Sequence, residues 1–273
     1  MSYRAIGVYR EPEYSPGKIA DDAAILDAAL AELAREGVET SAIDAAAFGA
    51  SSIPPADLVL AMCQGESALR RLAEVEQAGA IAINSALAIR NCYRDLLAAG
   101  LARAGVPAPA GALVPTALPL DLRRLAGVDL SSPVYVKRGD LHALAADDVQ
   151  RALGRADLER TLAGFARRRI RFAYVQQEFR GAVVKFYGVS AGSYFSALSS
   201  DGEIPEAAVR QLSEAAEKAA KVLGLEAWGG DAVLSGGRFA IIDFNDWPSY
   251  SRVRGQAARA IARRALALLN RPR

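Results

Sequence analysis

Between Arg4 and Asn84 short apolar runs alternate with longer amphipathic stretches: "AIGVYR", a stretch from about Ile19, "TSAID", "DLVLAM", "SALRRLAEVEQAG" and "IAIN". The short runs read as buried strands and the longer stretches as helices. In the first helix Ile19, Ala23, Leu26, Leu30 and Leu33 mark one face, while Asp21, Asp22, Asp27 and Glu32 fall largely elsewhere. A βαβα order of this kind predicts a parallel sheet covered by helices.

A helical stretch after Asn84-Ser85 runs through Ala104 and stops at "GVPAP", where Gly105, Pro107 and Pro109 break it. The next segment predicts strands at "GALVP", "PVYVKR" and "FAYVQQEF", with a helix from about Ala146 to Arg169 between the last two. The final segment predicts strands "AVVKFYGV" and "SYFSAL", a helix over Pro205 to Leu223, strands "AWGGDAVLS" and "RFAIIDFN", and a last helix marked by Val253, Ala257, Ile261, Ala265 and Leu268. The pattern predicts an α/β chain of three lobes, over residues 1–108, 109–179 and 180–273.

Composition agrees with a globular chain. Of 273 residues 52% are hydrophobic and 23% charged, enough to bury a substantial core. A net charge of +2 gives no reason to expect nucleic acid or a membrane surface as partner. The basic cluster Arg167 to Arg169 with Arg171 runs into "FAYVQQEF" and reads as the solvated end of a helix. Cys63 and Cys92 lie far apart in apolar or helical contexts and read as reduced thiols. The start has no long apolar stretch of the secretory kind and no apolar span follows, so a cytoplasmic location is expected.

Candidate chemistry begins at "IIDFNDWPSY". Alternation along a strand puts Asp243 and Asn245 on one face. Asp231 stands upstream in "GGDAVLSGGRFAIIDFN", where Ser235-Gly236-Gly237 suits a hairpin turn that brings it near Asp243. Three oxygen-bearing side chains without histidine or cysteine suit Mg²⁺ or Mn²⁺ better than zinc, with coordination left over for nucleotide phosphates. The same residues also read as turn-capping aspartates. Two loops mark a substrate cleft: "REPEYSPGKIADD", with Ser15 and Lys18 after the first strand, and "CQGESALRR", with Gln64 and Ser67. Taken singly, both read as caps and turns.

In order and spacing, "INSALAIRNCYRDLLAAGLARAGVPAP", "VYVKRG", "YVQQEF" and "GGDAVLSGGRFAIIDFN" resemble the ATP-grasp superfamily. The likeness is to the branch of ribosomal-protein glutamate ligases and related carboxylate-amine ligases, and it covers most of the chain. It implies an N-terminal parallel α/β lobe followed by two α+β lobes that clamp ATP. It assigns Asp231, Asp243 and Asn245 to magnesium, with Asp243 where glutamate is more usual. Lys137 is implied at the phosphates. "QQEF" is implied as the hinge, with Gln177 and Phe179 beside the base and Glu178 at the ribose. Lys185 is implied to face the triphosphate, and four apolar neighbours in its strand suggest that an anion satisfies it.

Two departures accompany the likeness. "RGDLHALAADDV" stands where relatives carry a glycine-rich phosphate loop, yet it holds only Gly139, so Asp140 and the chain's single histidine, His142, become candidates for phosphate or substrate contact. Where relatives carry a second phosphate lysine, this chain has Leu96.

The activity implied is ATP-dependent ligation of a carboxylate to an amine through an acylphosphate. An arginine for the carboxylate is then expected, and Arg252 and Arg254 are best placed, since cations at a helix N-terminus favour a bound anion. The expected substrates are small-molecule or peptide carboxylates and amines, with self-association into a homo-oligomer left open. A small-molecule kinase on the same scaffold and a non-catalytic nucleotide-binding regulator are the alternatives.

Overall fold

A computed structural model describes residues 3–50 and 54–271. Its first sheet is parallel, in the order β2 (Glu39–Asp44), β1 (Arg4–Tyr9), β3 (Leu58–Ala61), β4 (Ile81–Ile83). Every residue of β3 is buried, as expected of a strand covered on both faces. The covering helices include α1 (Ile19–Arg35), α2 (Ala45–Ala50) and α3 (Glu66–Gln77). The face of α1 departs from the predicted stripe. Ile19 is exposed, and Asp22 is buried with Ile25, Leu26, Ala29, Leu30 and Leu33 because Arg10 and Ser15 pair with its carboxylate.

The helical stretch after Asn84 is two helices, α4 (Ala86–Asn91) and α5 (Arg94–Ala104), broken at Cys92-Tyr93. Ser85 starts the first by accepting a hydrogen bond from the Ala88 amide at 3.1 Å.

The second sheet is antiparallel, in the order β5 (Gly111–Pro115), β8 (Phe172–Gln177), β6 (Val134–Arg138), β7 (Val149–Ala152). Strand β7 corrects the predicted helix from Ala146: Ala146–Asp148 is a single 3-10 turn, and the α-helix, α6, spans only Gly154–Arg167. The buried Asp148 carboxylate accepts from the amides of Leu144 and Ala145, which turns the chain sharply and delivers it as an edge strand onto β6.

The third sheet is antiparallel too, in the order β10 (Tyr194–Ser199), β9 (Ala182–Val189), β11 (Ala227–Ser235), β12 (Arg238–Asp246). Strands β11 and β12 meet through Gly236-Gly237, both left-handed at φ 54° and 77°, which glycine adopts without strain and a two-residue hairpin requires.

Two helices cross the predicted lobe boundaries. Leu97 and Leu101 of α5 pack into the third-lobe core with Phe186 and with Leu212, Ala216 and Leu223 of α7 (Glu206–Leu223). Ala257, Ile261 and Ala265 of α8 (Arg254–Leu269) pack on Ile25, Leu26, Ala29 and Leu33 of α1. Asn84 stitches the first and third lobes: its amide donates to the Ala227 carbonyl at 2.7 Å and accepts from the amides of Glu226 and Ala227 at 2.7 and 3.0 Å. Cys63 and Cys92 are buried free thiols. Among the described residues no helix is long and apolar enough to cross a membrane.

Candidate active site

The cleft is organised by one irregularity. From Ser235↔Arg238 to Ala232↔Ile241 the hairpin keeps a constant register, which would next set Asp231 opposite Ile242 and send Asp243 to the other face. The register shifts at Asp231/Ala232, and Asp231 pairs with Asp243 instead, with Gly229 opposite Asn245. This bulge puts both carboxylates on one face. It also turns the Ile242 carbonyl toward the central lobe, where it accepts from Lys137 Nζ at 2.8 Å.

Among the described residues no group of three His, Cys, Asp or Glu side chains forms a cage. Two carboxylates and an amide are an open, oxygen-only set, which fits a Mg²⁺ or Mn²⁺ ion that fills its shell from phosphate and water. Burial pushes the Asp231 carboxyl above its ordinary range, partly countered by Lys185, whose Nζ lies 3.1 Å from Asp231 Oδ1. Burial acts on Asp243 the same way, but Arg94 and Lys137 outweigh it and hold that carboxyl below the ordinary range.

Lys137 is buried at the end of β6, and burial brings its ammonium down to about 8, with Asp243 opposing the shift. The second cation of this cluster is one that sequence reasoning missed. Leu96, where a lysine was sought, is 45% exposed on α5, whereas Arg94 is 4% exposed and reaches Asp243 Oδ2 at 3.5 Å. A signal existed: Arg94 is a cation in the first turn of a helix, where the helix dipole disfavours it unless an anion is near.

Lys137, Arg94, Asp231 and Asp243 stand at one end of a cavity of about 690 Å³ between the second and third sheets. Its other walls include the apolar or aromatic side chains of Tyr135 and Val149 from the second sheet, Val183 and Val233 from the third, and Phe179, with the Glu178 carboxylate among them. Glu178 accepts from Arg151 at 2.8 Å and Arg180 at 2.7 Å, which hold its carboxyl down to about 2. The Gln177 side chain is tied into the fold, donating to the Pro133 carbonyl at 3.0 Å and accepting from the Asp129 amide at 2.8 Å.

The loop after β6, where the resemblance implies glycine, is braced by charge. Arg138 holds Asp140 at 2.7 Å and Asp148 at 3.2 Å, and Arg168 adds a second cation to Asp148. Gly139 remains glycine for a steric reason: a Cβ there would come within 2.7 Å of the Phe172 backbone. Between the braces His142 turns inward, and its Nε2 lies 3.9 Å from Asp246 Oδ1.

A second cavity of about 330 Å³ adjoins the Asp231–Asn245 face of the hairpin, lined by Lys18, Lys185, Arg252, Asp231 and Asn245. Lys185 is not the buried ammonium suggested by its apolar neighbours. Its side chain is 62% exposed and paired with Asp231, because strand alternation turns it to the cleft while Val184 and Phe186 enter the core. Other sequence candidates are engaged elsewhere. Ser15 donates to Asp22 at 2.6 Å, and Gln64 donates to Asp246 at 3.1 Å beneath the loop. Ser67 faces the Gly49 carbonyl at 3.5 Å on α2, and Arg254 pairs with Asp21 at 2.7 Å, tying α8 to α1.

Neither the family models nor the curated proteins contain a match to this chain. Solved structures do. A D-alanine–D-alanine ligase from Bacillus anthracis, complexed with ATP, superposes with a TM-score of 0.74 at 12% identity, covering 98% of each chain. The VanG D-Ala:D-Ser ligase from Enterococcus faecalis gives 0.73 at 12% identity, over 98% of this chain and 100% of its own. An ATP-grasp protein with a RimK domain from Sphaerobacter thermophilus gives 0.68 at 18% identity, over 96% of this chain and 99% of its own. The chain has the ATP-grasp fold over 96–98% of its length.

Proposed function

We propose that this ATP-grasp chain is an ATP-dependent, ADP-forming ligase that joins a carboxylate to an amine through an acylphosphate. The observation that carries the reading is the bulged β11–β12 hairpin, which sets Asp231 against Asp243 beside the Lys137–Arg94 pair at the end of a nucleotide-sized slot. The solved ligases of the same fold support it.

In this reading the base lies between the apolar walls of the slot. The amides of Gln177 and Glu178 already donate to the carbonyls of Ala110 and Pro133, so the N–H available to the base is that of Phe179. Glu178, charged at any working pH, accepts from the ribose hydroxyls. Lys137 and Arg94 neutralise phosphate oxygens. Asp231, Asp243 and Asn245 would hold Mg²⁺ or Mn²⁺, which supplies charge neutralisation when bound. A substrate carboxylate held by Arg252 and Lys18 attacks the γ-phosphorus, and ADP leaves. The amine nitrogen then attacks the acyl carbon, phosphate leaves, and the nitrogen gives up a proton. The chain's own work is positioning and exclusion of water, for which the braced loop serves as cover.

The test incubates the protein with ATP, Mg²⁺ and pooled amino acids, small carboxylates and short peptides, following ADP and resolving products by mass. One ADP per amide formed is expected. A phosphorylated alcohol would place the chain with kinases, and ATP binding without turnover would make it a non-catalytic nucleotide binder.

A further inference from the structure

Six side-chain nitrogen or oxygen atoms among the described residues are buried without a hydrogen-bond partner, and four of them belong to Arg94, which lines the slot, and to His142 and Asp246, which face each other behind it: Arg94 NH1, both ring nitrogens of His142, and Asp246 Oδ2. Buried polar atoms are nearly always paired, so such a cluster marks a place where something binds. Asp246, at the end of β12, is 1% exposed. Its Oδ1 accepts from Gln64, while Arg10 stays 3.9 Å from Oδ2 because its donors go to Met62, Asp22 and the carbonyls of Asp246 and Trp247. A buried carboxylate this weakly matched calls for a cationic or donating partner.

The arrangement is held rigidly from below. Gln64 is fixed at its carbonyl by the Tyr93 hydroxyl and at its amide by Glu11 at 2.9 Å. From above, the charge-braced loop delivers His142, whose side chain is 17% exposed and whose Nε2 stands 3.9 Å from the Asp246 carboxylate. One nitrogen donor can bridge two acceptors at that separation with hydrogen bonds of ~2.8 Å. An anion is repelled by Asp246, and an imidazole in the wall is a poor partner for magnesium, which prefers oxygen. A primary ammonium meets both acceptors.

We propose that Asp246 and His142 form the recognition subsite for the ammonium group of the amine substrate, with Gln64 and Arg10 positioning Asp246 and the loop closing His142 over it. This deepens the ligase reading and rests on it for the role of the amine. The charges of Asp243 and Arg94 both reach His142, which sets the subsite next to the cluster where the acylphosphate would form.

His142 is the chain's only histidine, so its ring resonances can be followed without assignment. The protein, loaded with Mg²⁺ and a non-hydrolysable ATP analogue and labelled with ¹⁵N-histidine, is titrated with glycine, L-alanine, D-alanine and L-lysine, and with propionate as the skeleton lacking an ammonium. At least one amino acid should shift the imidazole signals saturably while propionate does not, and Asp246→Asn should raise that apparent Kd at least tenfold, with an unchanged melting profile showing that the variant folds. A second measurement compares amide formation with hydroxamate formed by hydroxylamine, which traps an acylphosphate without an ammonium. Asp246→Asn should lower the amide-to-hydroxamate ratio at least tenfold, and His142→Ala should lower it in the same direction. No shift with any amino acid, an equal shift with propionate, or an unchanged Kd in Asp246→Asn overturns the subsite and leaves ordered solvent as the occupant. Absence of hydroxamate from the unaltered protein overturns the ligase reading while leaving the titration to decide the subsite.

Discussion

Replacing Arg94 separates the geometry of the cleft from the family pattern. Arg94→Met keeps the length and apolar contacts of the side chain and removes the charge that faces Asp243 at 3.5 Å. If the guanidinium also meets a phosphate oxygen, one charge-assisted hydrogen bond is lost, about 1.5–3 kcal/mol. At about 1.4 kcal/mol per decade this weakens nucleotide binding roughly 10- to 150-fold. The attraction to Asp243, about 5 kcal/mol gross at an effective dielectric of about 20, is lost too, and with Asp243 left to Lys137 alone a fall in stability of up to about 3–5 kcal/mol is expected beside the loss of affinity. The assay is calorimetric titration with the Mg²⁺ complex of a non-hydrolysable ATP analogue, with thermal melting as the control for folding. Arg94→Lys keeps the charge and should bind within roughly tenfold of the original. Leu96→Lys places a lysine on an exposed face and should change nothing, nor should it rescue Arg94→Met. Full affinity in Arg94→Met, or rescue by Leu96→Lys, would refute the assignment of Arg94 as the second phosphate cation.

Three further outcomes are expected. Burial depresses Lys137 to about 8, so the free protein carries this charge below that pH and loses it above; affinity for the ATP analogue should be flat from pH 6.5 to 7.5, fall as pH rises past 8, and lose this slope in Lys137→Met, whereas a pH-independent affinity would show that the ammonium does not meet the phosphates. Asn84→Ala leaves the Ala227 carbonyl and the amides of Glu226 and Ala227 without their partner, and at about 1–3 kcal/mol for a buried unpaired group urea unfolding should show a loss of at least about 3 kcal/mol. Glu178→Gln should narrow the preference for ATP over 2′-deoxy-ATP about fivefold in competition binding, the equivalent of about 1 kcal/mol; an unchanged preference would mean that Glu178 serves only Arg151 and Arg180.

Much of the architecture was legible along the chain because its elements are local. Period-two and period-3.6 patterns depend on neighbours in sequence, and β1, β3, β6, β8, β9, β11 and β12 formed where the apolar runs stood. The Gly236-Gly237 hairpin followed from the freedom of glycine at positive φ. Strand β7 was misread as helix because its edge position is set by a buried carboxylate, Asp148, binding amides earlier in the loop. Asp22 was misplaced on the outer face of α1 for a similar reason: Arg10 and Ser15, brought from outside the helix, make its burial tolerable.

The sequence by itself determined most of the strands and helices, the tight turn, and the supply of oxygen-bearing side chains near the end of the chain, since each depends on residues within one or two turns of one another. Tertiary structure decided the rest. A one-residue bulge, whose register is set by pairing across the whole sheet, put Asp231 on the same face as Asp243. Helices α5 and α8 found their apolar partners in other lobes, because an amphipathic stripe specifies that it must be covered and not by what. The same folding carried Arg94, rather than its neighbour Leu96, into the cleft, and closed His142 over Asp246 from more than a hundred residues away.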